Sequence, residues 1–243
     1  MKIVVMKFGG TSVANIGRIK NVASIINNNF KKYKLVVVLS AMAGVTNDLQ
    51  KLIDQIDYSP SKESDLVLTS GEQVTVGLLS MILNKMKIKT MPLLGWQVPI
   101  ITDSSYEKAI ILNIDKDNIL KYLNEYDVIV LAGFQGINIE GRITSIGRGG
   151  SDTTAVAIAS SLNAERCDIY TDVDGVYSGD PNIVKNVKKI DKISYEEMLE
   201  MSSMGAKVLH TRSVELAMKN NLTLQVLSSL TNREGTFIID ERK

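Results

Sequence analysis

The chain has 243 residues, 44% of them hydrophobic and 23% charged, enough for one large domain or two coupled lobes around a sizeable core. Its 28 Lys and Arg against 27 Asp and Glu leave a net charge of +1, so no global field draws it to nucleic acid or an anionic membrane, while a small local anionic ligand stays open. With one cysteine, Cys167, and one histidine, His210, it can form neither an internal disulfide nor a structural zinc site, and the composition fits a reducing, intracellular setting.

The apolar run at residues 3–6 is far shorter than a secretory h-region and leads into a glycine-rich turn. Wholly aliphatic runs such as residues 35–39 are too short to span a bilayer, so the reading is a cytoplasmic protein without a membrane partner. Residues 2–6 and 35–39 read as buried strands on either side of a helix at 16–28, a right-handed βαβ unit. Helices follow at 46–56 and 70–86, the apolar stretch before residue 70 being strand-like. Strands are expected at 90–94 and 109–112, a helix at 115–125, a bare apolar strand at 128–132, and a hairpin across 137–146 turning near Glu140-Gly141. A helix then starts around Gly147-Arg148-Gly149-Gly150-Ser151-Asp152 and runs over 153–162, where small residues mark close packing. A strand at 168–171, a polar loop at 172–181, helices at 195–201 and 206–219, and strands at 222–227 and 236–239 complete the chain. This alternation predicts an α/β fold with a mostly parallel sheet covered by helices. There is no internal repeat or low-complexity tract, and the nearest division falls around residues 136–147.

Two corners are suited to an anion. At Lys7-Phe8-Gly9-Gly10-Thr11-Ser12, adjacent glycines can take backbone angles closed to other residues and bring N–H groups to phosphate oxygens. Lys7 adds a compact charge, and Thr11 and Ser12 add hydroxyls. The same residues would equally suit an ordinary strand-to-helix turn. At 147–152, a helix capped by Ser151 or Asp152 would aim free N–H groups and the positive end of its dipole forward, with the planar fork of Arg148 beside them. Read without a ligand, this is a well-capped buried helix after a glycine linker. Asp152 either caps that helix or fixes a lysine ammonium. Glu72, opening the helix at 70, either accepts from a ligand ammonium or favours the dipole as a first-turn acid. Ser40 and Thr46 sit at the carboxyl end of a presumed parallel strand, where α/β sheets bind ligands. The loop at 172–181 offers Tyr177 as a flat surface and Asp172 and Asp180 as acceptors for a ribose or base.

Several chemistries are absent. Gly136 to Arg142 has arginine where a Walker loop needs lysine and no hydroxyl after it, and no Gly-x-Gly-x-x-Gly follows the first strand. His210 falls in a helical stretch with no nucleophile elbow in the chain, which argues against a Ser-His-Asp hydrolase.

Lys7-Phe8-Gly9-Gly10-Thr11-Ser12-Val13 resembles the opening signature of aspartokinases, within the amino acid kinase fold. Val38-Leu39-Ser40-Ala41, Gly44-Val45-Thr46-Asn47, Ser70-Gly71-Glu72, Gly133-Phe134, residues 147–152, Thr171-Asp172-Val173, Gly175-Val176-Tyr177, Asp180-Pro181 and Gly205-Ala206-Lys207-Val208-Leu209-His210 continue the likeness in family order across essentially the whole chain. The resemblance implies a three-layer αβα sandwich, with an amino-acid-binding lobe at 1–146 and a nucleotide-binding lobe at 147–243. It implies phosphorylation of the side-chain carboxylate of L-aspartate by ATP, opening lysine, threonine, methionine and diaminopimelate synthesis. Lys7 and Asp152 would be catalytic. Phe8, Gly9 and Gly10, together with Lys7, Thr171, Asp172, Tyr177, Asp180 and Lys207, would hold the nucleotide. Ser40, Thr46, Glu72, Arg148, Gly149, Gly150 and Ser151 would hold the amino acid. Mg²⁺ would enter mainly on ATP oxygens, with no protein-only metal cage. A substrate carboxylate is already ionised, so no general base is required. The family usually continues into paired ACT domains where this chain stops at Lys243, so no feedback inhibition by lysine or threonine is expected. Asn182 and Leu227 stand where arginine is frequent. A homodimer, pairing through helices such as 16–28, is expected. The alternatives are a kinase of the same fold acting on acetylglutamate, glutamate, carbamate or UMP, or a non-catalytic binding protein.

Overall fold

The computed structural model describes residues 2–179, 183–206, 208–231 and 233–240. In chain order the elements are β1 (Ile3–Phe8), α1 (Ile16–Asn29), β2 (Lys34–Leu39), α2 (Val45–Asp54), α3 (Lys62–Leu68), α4 (Ser70–Lys85), β3 (Thr90–Leu93), β4 (Ile100–Thr102), β5 (Ile111–Ile114), α5 (Lys116–Glu125) and β6 (Val128–Ala132). The second half follows with β7 (Gln135–Ile137), β8 (Ile143–Ser145), α6 (Gly150–Ser161), β9 (Arg166–Thr171), β10 (Val176–Tyr177), β11 (Lys189–Ile190), β12 (Lys192–Ser194), α7 (Tyr195–Ser203), α8 (Thr211–Lys219), β13 (Leu224–Ser228) and β14 (Thr236–Ile239).

Eight strands form the central sheet in the order β12-β14-β13-β9-β1-β2-β6-β3, parallel throughout except at β13–β14. Strands from both sides of residue 146 share this sheet. Its middle strands are buried on both faces, which explains their unbroken Val, Ile and Leu runs. One face is covered by α1 and α4 over Val4, Met6, Phe8, Val37 and Leu39. The other is covered by α5, α6, α7 and α8 over Val5, Val36, Val38, Ile129 and Leu131. The result is the expected three-layer αβα sandwich. A smaller sheet, β5-β4-β7-β8, includes the expected hairpin.

The structure corrects several expected elements. The stretch before residue 70 is a helix, α3, begun by a reciprocal pair in which the Ser64 amide donates to the Ser61 hydroxyl and the Ser61 amide to the Ser64 hydroxyl. The helical stretch Lys62–Lys85 is thereby 24 residues long and apolar enough, by length and composition alone, to cross a membrane, but half of its most apolar window is packed inside the protein. It also carries the buried carboxylates Asp65 and Glu72. The strand expected at 109–112 runs from 111 to 114, because the Ile110 amide and carbonyl pair with Asp103 and the Ala109 amide donates to Ser145 outside the ladder. The helix expected over 206–219 begins only at Thr211, with His210 as its extended cap residue. Helix α1 turns Ile19, Val22, Ala23 and Ile26 toward α4, so its apolar stripe is buried within the chain.

Candidate active site

Strand alternation decides which way each side chain of β1 points. Val4, Met6 and Phe8 face α1 and α4, so Val5 and Lys7 face α6. Lys7 therefore meets the first turn of α6, where its Nζ lies 2.6 Å from Asp152 Oδ1, with both side chains largely buried. Phe8, expected among the nucleotide contacts, is fully buried and stacks on Tyr170 with ring centroids 4.5 Å apart.

The glycines after β1 do not use the backbone freedom that their sequence offers. Gly9 has an ordinary φ of −71°, Gly10 is not among the residues with positive φ, and the Gly9 amide donates to the Tyr170 carbonyl. They are needed for room. A Cβ on Gly10 would sit 3.1 Å from the Ala41 carbonyl oxygen, and one on Gly9 would sit 3.2 Å from Lys7 Nζ. Ser12 likewise does not face a ligand, since its hydroxyl donates to Ser229 Oγ at 2.8 Å in the core.

A cavity of about 550 Å³ opens at the carboxyl ends of β1, β2 and β6, the edge where parallel sheets bind ligands. Lys7, Gly10, Ser40, Thr46, Glu72, Arg148, Gly149, Gly150, Ser151 and Asp152 all line it. The structure thus brings together every residue expected to hold the amino acid, although they come from three separate chain segments, around 40–46, 72 and 148–151. Asn47 and Phe134, named above only as parts of motifs, also line the cavity, as do Gln50 and Glu107, which the sequence did not single out.

One wall is cationic. Helix α6 starts at Gly149, whose φ of +71° suits glycine, and no side chain caps it. Ser151 and Asp152, each read as a possible cap, lie instead inside the first turn. The helix terminus therefore faces the cavity with its dipole uncapped, beside the exposed Arg148. The opposite wall is anionic. Glu72, in the first turn of α4 and 2% exposed, accepts from the Ala41 amide on Oε1 at 3.0 Å. Its Oε2 is buried without a hydrogen-bond partner. Burial pushes its pKa up to about 7, against the lowering effect of that amide.

Asp65, unremarked in the sequence, anchors the rim. It is fully buried, accepting from the Ser145 amide and hydroxyl at 2.8 and 2.6 Å and from the Glu107 amide at 2.9 Å. It thereby ties α3 to β8 and to the loop that presents Glu107, itself in the left-handed region at φ +62°. The Ser61–Ser64 start of α3 was its only advance signal.

Of the residues expected at the nucleotide, Lys7 and Gly10 line this cavity, while Thr171, Asp172 and Tyr177 lie beyond it, at and after the carboxyl end of β9. Thr171 closes that strand and donates to Asp172 at 3.0 Å, and the Tyr177 hydroxyl donates to Asp174 at 2.6 Å. Because β9 neighbours β1, with Phe8 opposite Tyr170, this group adjoins Lys7 along one sheet edge. Asp180 and Lys207, and with them Pro181 and Asn182, lie outside the described residues. Among the described residues no three His, Cys, Asp or Glu side chains converge on a point that would hold a metal ion.

The amino acid kinase family model matches residues 2–228. The chain is 49% identical over 249 residues to an aspartokinase of Rickettsia felis, covering 100% of this chain and 62% of that protein. It is similar to the crystal structure of aspartate kinase from Synechocystis (TM-score 0.89, 41% identity, 98% of this chain and 40% of that one). It is similar also to E. coli aspartokinase III in complex with aspartate and ADP (TM-score 0.86, 30% identity, 100% and 65%). The chain spans about three fifths of the length of the curated relatives it matches.

Proposed function

The chain belongs to the amino acid kinase family, and on that footing we propose that it transfers the γ-phosphoryl group of ATP to the side-chain carboxylate of L-aspartate, forming 4-phospho-L-aspartate. The observation that carries this reading is Glu72 Oε2, a buried carboxylate oxygen without a partner on the wall of a cavity whose other wall is cationic. A free ammonium satisfies such an oxygen and holds the carboxyl group ionised. Acetylglutamate, carbamate and UMP bring no ammonium, and a nucleotide phosphate would be repelled by it.

In this reading the ammonium of aspartate sits on Glu72, and its carboxylates face Arg148, Ser151 and the α6 terminus, with Ser40 and Thr46 closing the pocket. The nucleotide lies along β9 over Thr171, Asp172 and Tyr177, with Asp180 and Lys207 from the neighbouring segments. The side-chain carboxylate oxygen bonds to the γ-phosphorus as the bond to the β–γ bridging oxygen breaks, and ADP leaves. No proton has to be removed. Lys7 neutralises charge on the moving phosphoryl group, and Asp152 holds its ammonium in place. Mg²⁺, entering with ATP, would supply further neutralisation of the phosphates.

A hydroxamate-trapping assay with ATP and, in turn, L-aspartate, L-glutamate and N-acetyl-L-glutamate tests the reading, with UMP phosphorylation followed separately. Acyl phosphate formed with aspartate and abolished by Lys7→Ala is the expected result. Turnover only with another acceptor would reassign the substrate within the family, and ATP binding without any turnover would make the protein a binding module.

A further inference from the structure

Gly147 and Gly149 both take left-handed backbone angles, φ +76° and +71°, so the segment leading into α6 has little conformational preference of its own. Yet this segment carries Arg148 and sets the direction in which the α6 terminus points. It is held from outside. Arg212, in the first turn of α8, reaches across with Nη2 and donates to the carbonyls of Ile146 at 3.1 Å and Arg148 at 2.6 Å. These two acceptors flank Gly147. Among the described residues, no other side chain from outside α6 donates to a carbonyl of residues 146–149. The ring of His210, two residues earlier, lies against Gly149, where a Cβ would come within 2.4 Å of its Cγ.

We propose that Arg212 is a positioning residue for the amino acid substrate: it clamps the loop at 146–149 so that Arg148 and the α6 terminus meet the substrate carboxylates already oriented. It lines no part of the cavity itself. Fixing a flexible loop before binding removes an ordering cost that would otherwise weaken every ligand contact the loop makes. The nucleotide residues on β9 lie outside this loop, so the effect falls on one substrate. The planar fork of the guanidinium, with both donors of one nitrogen engaged, suits two carbonyls flanking a single residue better than a flexible ammonium does. The choice of substrate rests on the function proposed above, whereas the clamp itself does not.

The test compares wild type, Arg212→Ala and Arg212→Lys by steady-state kinetics and by amide hydrogen exchange without ligand. In Arg212→Ala the KM for aspartate should rise about tenfold, the weight of one charge-assisted hydrogen bond. The KM for ATP and kcat at saturating aspartate should stay within about twofold. Amides at 147–152 should exchange faster, Arg212→Lys should fall between, and added guanidinium ion should partly restore Arg212→Ala. Equal rises in both KM values, unchanged exchange at 147–152, or a lysine variant as poor as alanine would overturn the proposal. If Arg212→Ala does not fold, Arg212→Lys carries the same comparison. If wild type fails to phosphorylate aspartate, the proposed function falls, while the exchange data still decide whether Arg212 holds the loop.

Discussion

Replacing Glu72 by glutamine removes a charge while keeping the shape of the side chain and the acceptor for the Ala41 amide. In the free protein the carboxyl group has its pKa raised from 4.5 to about 7 by burial, so its ionised form is disfavoured. Between those values the folded state binds a proton that the unfolded state has released. Stability is therefore fully present below about pH 4.5 and is lost as pH rises through 7. At about 1.4 kcal/mol per pH unit, the rise corresponds to a loss of about 3 kcal/mol at pH 9. Glu72→Gln should erase that slope. It should gain less than the full amount, because the new amide N–H₂ is buried where Oε2 lacked a partner, which costs about 1–3 kcal/mol. Denaturant unfolding at pH 5.5 and pH 8.5, with and without L-aspartate, reads this directly. Wild type should lose stability on going to the higher pH and regain it with aspartate, whereas the variant should keep only the smaller slope left by other buried carboxyls such as Asp168, raised to about 6, and should respond far less to aspartate. Its KM for aspartate should rise by at least about a hundredfold, the weight of an uncompensated buried charge contact. Parallel pH slopes in the two proteins, or a variant that keeps the wild-type KM, would refute the argument.

The same titration predicts that the apparent affinity for aspartate falls about tenfold for each pH unit below 7, as binding must first deprotonate Glu72; calorimetry in buffers of different ionisation enthalpy should detect the released proton. Lys7→Met leaves Asp152 largely buried without its countercharge and should destabilise the fold by about 3 kcal/mol. Adding Asp152→Asn should recover part of that, and a double-mutant cycle with no coupling would contradict the pairing. Gly149→Ala forces a left-handed alanine against the His210 ring and should cost about 2 kcal/mol or more. Adding His210→Ala should relieve only the steric part, a difference that thermal unfolding of the single and double variants can resolve.

Much of the fold was legible because the middle strands are buried on both faces and so appear as bare apolar runs, separated by helices whose buried positions recur with helical period. The direction of Lys7 was legible for the same reason, since period two sets it opposite Met6 and Phe8. What failed was local pattern overridden by distant partners. Asp65-Leu66-Val67-Leu68 reads as strand until Ser61 and Ser64 cap it as helix, and its carboxylate is buried only because Ser145, far along the chain, supplies two donors. The glycines of the first motif were read for backbone freedom, whereas Gly9 has an ordinary φ and Gly10 gives clearance for the Ala41 carbonyl. Close approach between segments leaves no mark in either segment alone. The cap of α6 was misassigned for a related reason: Ser151 and Asp152 have capping side chains, but Asp152 is already committed to Lys7 from another layer of the fold.

That commitment also explains how the site separates its charges. The positive wall combines a lysine from β1, an arginine from a glycine loop and the uncapped terminus of α6, and the aspartate in the first turn of that helix is paired with the lysine. The negative wall is one carboxylate that the protein leaves half-partnered. A ligand that completes both walls must carry an ammonium and at least one carboxylate at fixed separation, and must leave a further oxygen near Lys7. An anion alone would leave Glu72 Oε2 without a partner and its carboxyl group held protonated, and a cation alone would leave the α6 terminus and Arg148 unmatched. Discrimination in such a site comes less from the number of contacts than from the penalty on the one buried oxygen when the wrong ligand occupies it. This is why Glu72, rather than the residues around the phosphoryl group, should decide which amino acid the protein accepts.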